Sequence, residues 1–261
     1  FWVAKANSIK SKLFSPSDIQ SIMKKAIVER LKGIYGISWF PEDGPEFPIR
    51  VAFMKDVALI GIDTSGVSLH KRGYRQMTVK APITETLASA LLMLTPWKKD
   101  RILVDPFCGS GTFPIEAAMM AADMAPGMNR SFLAESWEHL IPKTCWEDAR
   151  EEAEDRMNPD IETDIQGFDI DAGAIKAARA NAKMAGVEKL IHFQQRPVSE
   201  LRHSKPFGFI VTNPPYGERI EEKSNLPALY REIGESYKRL DRWSMYLITA
   251  YDKAENDIGR K

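Results

Sequence analysis

Apolar positions along the chain repeat with two periods, and the switches between them mark its elements. In SPSDIQSIMKKAIVERLKGIYG, Ile19, Ile22, Met23, Ala26, Ile27 and Leu31 fall at helical spacing, which predicts one apolar helix face. Ser15 or Ser17 supplies the cap and Pro16 suits the first turn. PIRVAFMKDVALIGIDTSG alternates on both sides of Lys55-Asp56, as the arms of a β-hairpin do. These pieces predict a small α/β module ending near Gly66. From residue 83 the rhythm changes. ITETLASALLMLT, PIEAAMMAADM, DAGAIKAARANAKMAG and LPALYREIGESYKRL read as helices, and RILVDPF, DIQGFDI, LIHFQQR, GFIVTNPP and SMYLITAY read as strands. Strands alternating with helices predict a parallel, doubly wound α/β sheet. The stretch 126–162 is longer than a turn, and its acidic piece CWEDAREEAEDRM reads as a solvated surface helix.

Composition narrows the class. With 261 residues, 44% hydrophobic and 28% charged, the chain is long enough for one large domain or two modest ones. No apolar run approaches the roughly 18–20 residues that span a bilayer. The N-terminal FWVAKANSIKSKLF has no starting Met and lacks a signal-peptide layout, so the chain reads as a fragment or a processed product. Two cysteines, Cys108 and Cys145, make no disulfide framework; they fit a reducing cytoplasm, and no ligand cluster suggests a metal. The net charge of zero hides an asymmetry. Residues 1–80 carry 13 Lys/Arg against 7 Asp/Glu, and the remainder carries 23 against 29. A basic first part suggests contact with a polyanion. Surface solubility is the alternative.

Three strand ends carry candidate chemistry. ILVDPFCGSGTF delivers Asp105 to the carboxyl edge of the sheet, where open α/β folds bind ligands. Gly109 and Gly111 allow a tight turn and close approach, and Thr112 opens a helix whose free N–H groups face the same place. The third glycine of a dinucleotide fingerprint is missing and no phosphate-binding P-loop is present, which disfavours phosphate cradling. GFDID places Asp169 where a ribose-binding acid belongs, with Asp171 as a helix cap; a second capping role is the alternative for Asp169. TNPPYG offers the Asn213 amide, carbonyls beside two prolines, and the flat ring of Tyr216. An amine held by the Asn213 side-chain oxygen and the Pro214 carbonyl would direct its lone pair at an electrophile, which fits alkylation of an exocyclic amine. A Pro-rich strand exit is the alternative.

Taken in order and spacing, DPFCGSGT, GFDID and TNPPYG resemble class I S-adenosylmethionine-dependent methyltransferases that modify exocyclic amines. KSKLFSPSDIQ, the IDTSG and LHKRGYR stretches, and APITETLASALL resemble one subgroup, the THUMP-domain-containing RNA methyltransferases. The resemblance covers nearly the whole chain. It implies a Rossmann-like methyltransferase domain over 81–261 without the family's final β-hairpin, a basic linker over 67–80, and a partial THUMP-like RNA-binding module over 1–66.

The same resemblance implies residue roles. Asp105, Phe107, Gly109, Ser110, Gly111 and Thr112 would line the S-adenosylmethionine site, Asp169 would hold the ribose hydroxyls, and Ile170 would lie beside it. Many relatives carry an acid after the third strand that reads the adenine amine; here the stretch is QQRPVSEL, so backbone groups around Pro197 and Val198, or another side chain, would read it. The segment 80–85 would close over the cofactor. Asn213, Pro214 and Tyr216 would hold the target base, with Asn213 also beside the cofactor. Lys10, Lys12, Lys71, Arg72, Arg75 and Lys80 would contact RNA. The expected activity is methylation of guanine N2 in 23S rRNA by a cytoplasmic enzyme, with tRNA as another RNA class. Two other readings remain open at this point: an adenine-N6 methyltransferase acting on DNA or RNA, and a non-catalytic RNA-binding assembly factor.

Overall fold

The computed structural model describes residues 1–77, 82–217 and 224–259. They divide into two compact units, one of residues 1–68 with 131–148, the other of 69–130 with 149–261.

The first unit is built on a three-stranded sheet of β1 (Trp2–Ile9), β2 (Pro48–Met54) and β3 (Val57–Ile62), in that order, with α1 (Pro16–Tyr35) packed on it. The hairpin forms as the alternation predicts. Met54 pairs with Val57 across the two-residue turn, and Lys55 and Asp56 take positive φ of 50° and 64°, the backbone that matches strand twist in tight hairpins. Ser15 caps α1 by accepting from the Asp18 N–H, and Gly36 ends it in the left-handed region. The buried face of α1 is narrower than its pattern suggests. Ile19 is fully buried against Val3, Ala6, Ile49 and Val51, Met23 and Ile27 are partly so, and Ile22 and Ala26 point to solvent. A strand missing from the periodicity reading, β1, pairs parallel with β2.

The expected first module ends at 66. In the structure, residues 131–148 also belong to that unit. The Leu133 and Ala134 N–H groups donate to Ser65 O and Thr64 O, and Trp137 stacks on Phe47 while its indole N–H donates to Glu46 O. The acidic helix α4 (Lys143–Arg156) buries no residue, and the division between the units falls within it.

The second unit is the doubly wound sheet. Strands β4 (Leu103–Asp105), β5 (Ile165–Asp169), β6 (Ile191–Gln195), β7 (Phe209–Thr212) and β8 (Ser244–Leu247) are all parallel, in the order β6-β5-β4-β7-β8. Because strand side chains alternate between faces, Leu103 and Val104 lead into separate cores. Leu103, Ile165, Phe193 and Val211 pack toward α2 (Glu85–Leu94), α3 (Thr112–Ala121) and α5 (Ala172–Ala185). Val104, Phe168 and Ile210 pack with Tyr237 of α6 (Leu226–Lys238) and with Trp243. A short α7 (Ala254–Ile258) closes the described chain, packed on α6 through Ala254 and Ile258. The strand order reverses between β4 and β5 on one side and β7 on the other, and ligands bind beside such a switch point. Residues 78–80 of the expected linker 67–80 lie outside the described residues. Tyr74 is 1% exposed and lies in the core with Ala88 and Leu92.

Candidate functional site

Asp105 ends β4 at the centre of the sheet, 2% exposed. Its carboxylate accepts from the Thr212 hydroxyl at 2.6 Å and from the Phe107 N–H at 3.1 Å. Thr212 ends the neighbouring strand β7, so this bond ties the first and third motifs together across the switch point. After Asp105 the chain turns through Gly109 and Gly111, at φ of 52° and 87°, into α3. The Gly109 N–H donates to Asp169 at the tip of β5, and the second oxygen of Asp169 accepts from the Asp171 N–H. Asp171 caps α5 through the Gly173 N–H, as the sequence predicts. Three strand ends thus meet in one cleft. A cavity of about 80 Å3 there is lined by Asp105, Phe107, Gly109, Ser110, Thr112 and Asn213, with Pro82 and Ile83 on the facing wall. That volume is well below the roughly 300 Å3 of a complete ligand pocket, so it is only the inner end of the cleft.

The electrostatics point to a cationic ligand. Burial pushes the Asp105 carboxyl up to about 7, against the hydrogen bonds from Thr212 and Phe107 that favour its charge. Burial raises Asp169 as well, opposed by the Asp171 and Gly109 N–H groups. Among the described residues no cationic side chain pairs with either carboxylate. Burial and these two carboxylates keep the Cys108 thiol protonated.

Asn213 and Tyr216 are half-buried and Pro214 is buried. The Tyr230 hydroxyl of α6 donates to Pro215 O at 3.2 Å and lies 2.6 Å from the Thr249 hydroxyl, which fixes the exit of the Pro-Pro turn. Ile170 is 71% exposed beside Asp169. Pro197 and Val198 open a 3-10 turn that consumes both their carbonyls: Pro197 O accepts from Glu200, and Val198 O from Leu201 and the Ser236 hydroxyl. Those two carbonyls are engaged by Glu200, Leu201 and Ser236.

The predicted RNA contacts separate into two kinds. Lys10, Lys12 and Lys71 are exposed. Arg72 and Arg75 turn inward. Arg72 pairs with the buried Glu116, which also accepts from Tyr74 and Ser89, and Arg75 pairs with the buried Glu85. Lys80 lies outside the described residues. Sequence reasoning passed over Thr212, Tyr230 and Asn181. For Tyr230 a signal existed, since Leu226, Tyr230, Ile233 and Tyr237 form the apolar stripe of α6. A larger groove of about 470 Å3 runs along β8, lined largely by apolar side chains such as Leu94, Met245 and Leu247. Its lining includes none of Asp105, Gly109, Ser110 and Asn213.

Residues 72–261 match the model of the RMKL-like methyltransferase domain, and residues 1–63 match that of the THUMP domain. The chain belongs to the RMKL-like methyltransferase domain family. YpsC of Bacillus subtilis strain 168, described as a candidate RNA methyltransferase, is 47% identical over 97% of this chain. The chain spans 66% of that relative's length. A Listeria monocytogenes protein, described as a predicted N6-adenine-specific DNA methylase, superposes with a TM-score of 0.91 at 47% identity, covering 98% of this chain and 68% of the other. SMU.472, described as a candidate methyltransferase and solved with SAH, superposes with a TM-score of 0.90 at 42% identity, covering 99% and 68%.

Proposed function

We propose that the protein methylates the exocyclic amine of a base in structured RNA with S-adenosylmethionine, and that the base is guanine, methylated at N2 in 23S rRNA. The observation that carries the reading is the convergence of Asp105, the 109–112 loop and Asn213 on one cavity. Two carboxylates with no cationic partner among the described residues fit a ligand that bears a sulfonium and an ammonium. Asp169 would hold the ribose and Asp105 the cationic end, with the 109–112 loop against it. The cofactor supplies an electrophilic methyl group. The chain supplies orientation: the Asn213 side-chain oxygen and the Pro214 carbonyl accept the two amine hydrogens, which aims the nitrogen lone pair, and the Tyr216 ring stacks on the base. These groups then hold the extra proton of the alkylated nitrogen until water takes it. A paired base must first leave its stack. The THUMP match and the YpsC likeness support RNA as the substrate. The Listeria likeness keeps adenine N6 as the second reading.

Asn213→Ala should leave S-adenosylmethionine affinity nearly unchanged and lower the transfer rate roughly 100-fold. Tyr216→Phe should keep most of the activity, and Tyr216→Ala should cost about 1–3 kcal/mol of stacking. Single-turnover transfer to total rRNA, followed by nucleoside mass spectrometry, reads both the rate and the base. Parental turnover in Asn213→Ala would remove the amine mechanism, and methyladenosine as the product would select the second reading.

A further inference from the structure

Segment 74–77 lies outside the cleft lining yet is bonded to both of its walls. Arg75 donates through one guanidinium nitrogen to Ile83 O at 2.9 Å and to the Thr112 hydroxyl at 2.8 Å. Its Nε lies 3.1 Å from Glu85 Oε1, an ion pair whose angle is not that of a hydrogen bond. One residue further on, Asn181 of α5 takes over. It is fully buried, and its Oδ1 accepts from the Gln76 and Met77 N–H groups at 3.0 and 3.2 Å. Its Nδ2 donates to Met77 O at 3.0 Å and to Ser110 O at 3.1 Å. All four hydrogen-bonding positions of the amide are spent on joining segment 76–77 to the 109–112 loop.

We propose that Arg75 and Asn181 are positioning residues for the cofactor loop. Together they pin segment 74–77 against Ser110 and Thr112 and set the gap between that loop and Ile83. The proposal rests on the reading of the cleft as the S-adenosylmethionine site. Chemistry favours a positioning duty over simple charge pairing. Glu85 alone would be satisfied by any cation, but facing Glu85 through Nε while one Nη bonds both Ile83 O and Thr112 needs two nitrogens held apart on one planar group, and lysine has a single nitrogen. Asn181 reaches the same loop from a different element, so the two contacts report on it independently.

Calorimetric titration of the full chain with SAH tests this. Arg75→Lys keeps the charge opposite Glu85 and loses the bridge, and should weaken binding about tenfold. Asn181→Ala leaves the ion pair alone, frees Ser110 O, and should weaken binding by a similar factor. Melting temperature without ligand is measured beside each. A merely structural contact lowers that temperature and leaves the dissociation constant, taken well below melting, at the parental value. If Arg75→Lys does not fold, Asn181→Ala decides. A folded variant that binds SAH as tightly as the parent overturns the assignment of that residue. A parent chain that does not bind SAH overturns the cofactor site itself, and the positioning role falls with it.

Discussion

Asp105 bears an electrostatic conflict that should be measurable. Buried, and with no cationic partner among the described residues, its carboxyl is pushed up to about 7. The group is raised above its ordinary 3.8, so the folded state holds its proton longer than the unfolded chain does. That contribution to stability is fully present below about 3.8 and is lost as pH rises through 7. A cation beside it reverses the preference. If Asp105 holds the cationic end of S-adenosylmethionine as proposed, binding below 7 expels a proton, so affinity should climb with pH by up to about tenfold per unit and level off above 7. Titrations across that range in buffers of different ionisation enthalpy read the proton directly. Asp105→Asn should flatten the profile, and a flat profile in the parent would disconnect Asp105 from the ligand. The sequence made this residue visible because a strand ending in Asp-Pro-Phe-x-Gly-x-Gly has few structural uses. It did not reveal the inward turn of Arg72 and Arg75. A basic run reads as surface, and the carboxylate that neutralises Arg72 is 44 positions away.

At the scale of elements, the turn from β4 into α3 needs glycine for reasons the sequence states only in part. The motif announces backbone freedom, and Gly111 uses it at φ 87°. What it does not announce is crowding. A Cβ at Gly111 would stand 3.0 Å from Ala178 Cβ and 3.1 Å from the Phe193 ring, on α5 and β6. Gly111→Ala should therefore cost about 1–3 kcal/mol in urea denaturation, from left-handed strain and overpacking together. Gly33, inside α1 with open space where a Cβ would go, serves as the opposite case. Gly33→Ala should stabilise by about 0.5–1 kcal/mol. Equal effects at the two sites would mean that neither backbone nor packing distinguishes them. The same limit explains which elements the periodicity revealed. The central strands β4 and β7 are buried on both faces and stand out as apolar runs. WVAKANSI mixes polar and apolar residues, and β1 is defined by its parallel partner, whose first paired residue, Pro48, lies far along the chain from Trp2.

For the whole molecule, charge and architecture part company. The first 80 residues are basic, but the compact unit 1–68 with 131–148 holds 10 Lys/Arg against 11 Asp/Glu. The acidic residues 135, 138, 147 and 148 belong to it, and the basic cluster 71–80 does not. Two of that cluster's four cations, Arg72 and Arg75, are already neutralised by Glu116 and Glu85. The first compact unit is therefore close to neutral, and of the six expected RNA contacts Lys10, Lys12 and Lys71 are the exposed ones among the described residues. This changes what salt should do. Each phosphate neutralised contributes about 0.7–0.9 to the slope of log affinity against log salt. If Lys10, Lys12 and Lys71 are the contacts, the slope for a structured rRNA fragment should be about −2 to −3, not the roughly −4 to −5 that the net charge of residues 1–80 would suggest. Changing each of the three lysines to Gln should remove about one unit of slope, with no change in melting temperature. Arg72→Gln should do the reverse, lowering the melting temperature because Glu116 is left buried without its cation, and leaving the slope alone. Anisotropy titrations across a salt series separate the two. A steep slope that survives the loss of all three lysines would place the RNA on other charges of this chain.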